Sequence, residues 1–142
     1  MLLERNQVFS VVSLDPYEAQ IVVFSDYEDM HTTMKGLFGE ETAQWFEAEY
    51  HEGSNGQIFQ FNVEGRPYYA ALIENDSINT IAHEASHFAD MVLDEKGVPL
   101  TIENTEAKAY LVGRCAELMA EALWPDPEEK PEIQLEMDLN FH

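Results

Sequence analysis

Upstream of position 75, short runs rich in Val, Ile, Phe and Tyr are broken by turn residues, and downstream of position 78 apolar positions recur every third or fourth residue. Residues 7–13 and 20–25 are rich in Val, Ile and Phe and flank Asp15-Pro16, which predicts two strands around a turn. Ser25-Asp26 offers a cap for a short helix over 27–38, ended near Gly39. Residues 43–50 carry further strand signals but mix aromatic with acidic side chains and are ambiguous. Residues 57–63 and 67–73 are clearer strands, joined into a hairpin by Glu64-Gly65-Arg66.

The period then changes. Asn75-Asp76-Ser77 supplies N-cap chemistry, and Ile78, Ile81, Ala82, Ala85, Phe88, Ala89 and Val92 trace one stripe of a helix over 78–94. Lys96-Gly97-Val98-Pro99 stops it, because Gly97 can turn left-handed and Pro99 cannot continue the helix. A second helix, capped by Asn104 or Thr105, runs to Leu123. The Pro-rich acidic stretch 124–131 reads as a linker, and beyond it Ile133, Leu135, Met137, Leu139 and Phe141 alternate as in a strand. The expected organisation is an α+β domain over 1–124 and a linker with a strand-like tail over 125–142. That tail would return to the domain's own sheet or be exchanged in a homodimer, and it could also lie in a substrate groove.

Inside the helix over 78–94 stands His83-Glu84-Ala85-Ser86-His87. With 5 His in 142 residues, a chance H-E-x-x-H has odds on the order of one per cent, so chance is a poor account of it. Residues four apart share a helix face, so His83 and His87 can offer two imidazoles to one zinc, with Glu84 beside the open coordination position. The alternative is two histidines with ordinary hydrogen bonds, or a zinc site without activity. A catalytic zinc takes a third protein ligand. Glu106, in the first turn of the next helix, suits the helix dipole and can project toward an antiparallel neighbour, and Glu103, at or before the cap, competes with it.

The run from Thr80 to His87, then Gly97-Val98-Pro99, then the stretch from Glu103 to Gly113 resembles a group of small bacteriophage-encoded zincin-like metallopeptidases. The similarity covers roughly 79–121 well, and the upstream half in pattern only. It implies a zincin-like fold, with a small mixed or antiparallel sheet, the motif helix and a following ligand-bearing helix. It further implies a gluzincin-type site in which His83, His87 and Glu106 hold Zn2+ and Glu84 is the general base. The expected activity is peptide-bond hydrolysis through a zinc-bound water, its pKa lowered toward about 7 and its proton taken by Glu84. Thermolysin-like gluzincins carry an Asp four residues after the ligand glutamate. Here that position is Tyr110, which leaves the partner of His83 open to Asp76 or Asp90. Tyr68, Tyr69, Tyr110, His51 and Arg66 are candidates for stabilising the oxyanion. In zincins an edge strand above the metal pairs with extended substrate, and one of the upstream strands is the natural candidate.

Charge adds a second line of thought. The chain has 28 acidic against 7 basic residues, a formal charge of −21, which disfavours nucleic acid and acidic membranes and favours cationic peptide or protein partners. Such acidity also suits a phage protein that inhibits a host protein, for instance as a DNA mimic, with a structural or vestigial zinc site. A third reading is a zinc amidase acting on cell-wall crosslinks. The 45% hydrophobic content over 142 residues supports one moderate core. No apolar run is long enough to span a membrane, and the start of the chain lacks a signal-peptide core. The single Cys115 reads as a buried thiol on a helix face, and the expected location is cytoplasmic, in the host cell if the chain is phage-encoded.

Overall fold

The structure, a computed structural model, describes residues 9–14 and 19–124. The expected turn at Asp15-Pro16 and the linker and tail after Trp124 lie outside the described residues. The fold is mixed α+β. Strands β1 (Phe9–Leu14) and β2 (Ala19–Phe24) precede helices α1 (Tyr27–Phe38) and α2 (Glu40–Glu49). Next come β3 (Gly56–Val63), β4 (Arg66–Ile73), α3 (Ile78–Glu95), a 3-10 turn (Ile102–Asn104) and α4 (Thr105–Leu123).

The strands form one sheet in the order β1-β2-β4-β3. β1 pairs antiparallel with β2, β3 antiparallel with β4, and β2 parallel with β4. Because side chains alternate across a strand, the two central strands divide their residues between two cores. Ile21 and Val23 of β2, with Tyr69, Ala71 and Ile73 of β4, meet Ile81, Ala85, Phe88, Val92, Leu111, Cys115 and Met119 from α3 and α4. On the opposite face Val22, Phe24, Ala70 and Leu72 meet Met30, Met34 and Phe46 from α1 and α2, and Phe59 and Phe61 from β3. Helices therefore cover both faces of the sheet, which accounts for the nearly continuous burial of β2 and β4.

Residues 43–50, ambiguous in sequence, are mostly helical in α2. The aromatic residues that suggested a strand are explained by packing: Phe46 is fully buried, with its ring 5.0 Å from Phe59 and 5.2 Å from Phe61. Glu40 and Glu41 sit in the first turn, where the helix dipole favours them. The hairpin between β3 and β4 closes on two residues, Glu64 (φ 51) and Gly65 (φ 79), with Val63 opposite Arg66. Positive φ at both positions is what a type I′ turn requires.

The motif helix begins and ends on identifiable chemistry. Ser77 Oγ accepts from the Thr80 backbone N–H at 3.2 Å. At the far end Gly97 takes φ 74, and the Val98 N–H reaches back to the Leu93 carbonyl at 2.8 Å, closing the helix as expected. The cap expected from Asn104 is absent. Its Nδ2 donates instead to the Pro99 carbonyl at 2.7 Å, tightening the α3–α4 connection, and α4 continues directly from the 3-10 turn. The two helices run antiparallel, since Lys108 near the start of α4 pairs with Asp90 late in α3, while Trp124 just after α4 bonds to Asp76 just before α3.

Candidate metal centre

α3 lies over the β4–β3 side of the sheet and presents three different surfaces. Ile81, Ala85, Phe88 and Val92 face the core. Thr80 and Glu84, one turn apart, lie on the flank against β3, where both approach Gly56. His83 and His87 are exposed on the outer side. Their Nε2 atoms are 3.2 Å apart, with the rings nearly perpendicular at 81°. Two nitrogen ligands of a tetrahedral zinc, each about 2.0–2.1 Å from the metal, sit about 3.3 Å apart. The imidazole pair fits such an ion. The same separation lets one ring nitrogen donate a hydrogen bond to the other.

Glu84 is 4% exposed, and among the described residues it is the only buried carboxylate. Burial raises its pKa, with His87 and His83 acting in the opposite direction. Its Oε1 stands 3.9 Å from His83 Nε2. Ligand atoms of His83, Glu84 and His87 all lie within 4.8 Å of one another, a grouping able to hold a metal ion. A desolvated carboxylate beside two exposed imidazoles is an uncommon arrangement for a merely structural surface.

The structure does not bring Glu106 into this grouping. Leu111, Cys115 and Met119 mark the buried stripe of α4. Glu106 precedes Cys115 by nine residues, two and a half turns, so it points to roughly the opposite side of that helix and is exposed. Glu103 is exposed in the 3-10 turn. Asp76 accepts a hydrogen bond from Trp124 Nε1 at 2.7 Å, and Asp90 pairs with Lys108 at 2.9 Å, so both carboxylates proposed as partners of the histidines are engaged elsewhere.

The oxyanion candidates separate by position. Tyr68 packs with Phe61 and Phe38 on the α1–α2 face of the sheet, away from the motif helix. Tyr69 is on the α3 face but packs on Phe88 and is influenced by Glu95 and Asp94, about three turns beyond Glu84. Arg66 begins β4 at the hairpin, whereas the end of β3 that meets Glu84 is Gly56, seven residues from Val63. Tyr110 is 58% exposed on α4. The His51 backbone N–H is bonded to Gln57 Oε1 at 2.9 Å, in the loop that leads into β3. The residues missed in sequence are Gly56 and Thr80. Ser54-Asn55-Gly56 reads as loop punctuation, and only the pairing of β3 reveals what Gly56 touches.

No protein-family model, curated protein or solved structure matches this chain. Among the described residues, no helix is long and apolar enough to cross a membrane.

Proposed function

We propose that the protein is a zinc-dependent metallopeptidase of gluzincin type, related to the small phage-encoded zincin-like enzymes that its motif resembles. The observation that carries this reading is the convergence of His83 and His87 Nε2 at 3.2 Å beside the buried carboxylate of Glu84. His83 and His87 would hold the zinc; Glu106, the third ligand that the resemblance implies, lies outside their grouping and would have to swing toward it. When bound, zinc supplies Lewis acidity toward the scissile carbonyl and makes a nearby water more acidic. Glu84 accepts the proton of the attacking water at a carboxylate oxygen and delivers it to the departing amine. Its burial strengthens the field it exerts and suits a group that alternates between charged and neutral forms. β3 is an edge strand whose first residue touches Glu84, so an extended peptide added to its outer edge runs past the base.

The test is hydrolysis of fluorescein-labelled casein by zinc-loaded protein. Glu84→Gln should retain zinc and lose cleavage, while His83→Ala and His87→Ala should lose both. Cleavage undiminished in Glu84→Gln sinks the assignment. The formal charge of −21 favours a second reading, an acidic protein that binds a cationic host protein. In that case zinc-loaded wild type leaves casein intact and Glu84→Gln has no biological effect.

A further inference from the structure

Gly56 differs from the other described glycines in what surrounds it. A Cβ built there would lie 2.9 Å from Glu84 Cγ, 3.0 Å from Thr80 Cγ2 and 3.3 Å from the Leu72 carbonyl oxygen. At each of the others such an atom meets nothing within 4 Å. Nor does Gly56 adopt a positive φ, so its backbone makes no demand for glycine. It is glycine for space. Its bare Cα is set against the side chains of Thr80 and Glu84, one turn apart on α3, with the β4 backbone behind.

We infer that Gly56 is the positioning residue for Glu84. Lacking a Cβ, the first residue of the edge strand leaves just the room that the aliphatic stem of the glutamate takes on the sheet side, with the carboxyl on the side of the histidine pair. The chemical purpose of this contact rests on the metallopeptidase reading; the contact itself does not. A methyl group at position 56 cannot move toward Leu72, where it meets backbone, so the side chains of Glu84 and Thr80 have to give way. His83 and His87, on the exposed side of α3, are untouched. The substitution therefore displaces the base and spares the metal donors, a separation that general damage to the fold would not produce.

The experiment places Gly56→Ala in the wild-type, Glu84→Ala and Thr80→Ser backgrounds. In urea unfolding of metal-free protein, Gly56→Ala should lower the midpoint in wild type and much less in Glu84→Ala, where Cγ is gone. Equal falls in the two backgrounds would overturn the proposal. If Gly56→Ala alone does not fold, its return to the folded state in the Glu84→Ala background supports it by the same logic. With zinc loaded, Gly56→Ala should keep the wild-type zinc content and lose about a hundredfold in kcat on labelled casein, as expected for a catalytic group displaced by about 1 Å, with KM little changed. Adding Thr80→Ser removes the second methyl but keeps the hydroxyl that contacts Ser77 at 3.0 Å, and should restore part of that loss. Loss of zinc together with activity, or no restoration, assigns Gly56 a structural part only. Wild type that leaves casein uncut defeats the peptidase reading, and the urea comparison still decides whether Gly56 positions Glu84.

Discussion

Replacing Glu84 with methionine should make the metal-free protein more stable and, on the peptidase reading, abolish cleavage of casein. Glu84 is 4% exposed, burial raises its pKa, and its Oε1 stands 3.9 Å from the His83 imidazole. Taking a polar group out of water costs about 1–3 kcal/mol, and more when it is charged. Methionine keeps the Cγ that lies beside Gly56 and replaces the carboxyl by an apolar thioether of similar length. Taking about 2 kcal/mol as the gain and a urea slope of about 2 kcal/mol/M, the unfolding midpoint rises by about 1 M. Glutamine, which keeps a polar amide, should gain less. The assay is equilibrium urea unfolding at neutral pH after removal of metal, with casein cleavage measured on the zinc-loaded proteins. A lower midpoint for Glu84→Met than for wild type would refute the reasoning, because the carboxylate would then be contributing to the fold rather than being retained at its expense.

Zinc should stabilise wild type by about 2.7 kcal/mol at a free concentration a hundredfold above Kd, raising Tm by on the order of 10 °C. Calorimetry should show the rise lost in His83→Ala and His87→Ala, and a smaller rise in Glu106→Ala would establish Glu106 as the third ligand. Cys115 is buried, and burial pushes its thiol pKa up to about 12, so dithionitrobenzoate should react with it only after unfolding. Because the folded thiol holds its proton above the pKa of the unfolded one, its contribution to stability is intact below about pH 8.5. It should decline as pH rises from there toward about 12, which unfolding measured against a Cys115→Ala control would show. Phe88→Ala should cost about 3–5 kcal/mol in urea unfolding, since Phe88 is fully buried with its ring 5.0 Å from Tyr69.

Much of the local structure was legible in the sequence because it is specified by neighbours along the chain. The cap at Ser77, the left-handed Gly97 and the Glu64-Gly65 turn each act within a few residues and are found where the pattern places them, as are Ile81, Ala85, Phe88, Ala89 and Val92 of the α3 stripe, whereas Ile78 and Ala82 of that stripe are exposed. α2 was obscured because Trp45 and Phe46 serve a helix and a strand equally well until the aromatic partners from β3 are present. The cap at Asn104 failed for a related reason, since its side chain bonds to Pro99 in the preceding loop.

That His83 and His87 share a helix face, with Glu84 beside them, follows from helical periodicity, a property of the chain alone. Which of these groups is buried depends on packing across the sheet. Parallel pairing of β2 with β4 joins two segments far apart in sequence, sets β3 at the sheet edge and brings Gly56 against Glu84, leaving both histidines outside. The same packing turns the Leu111–Cys115–Met119 stripe of α4 inward and Glu106 outward. Burial is a sum over contacts between distant segments, and no local pattern contains that sum.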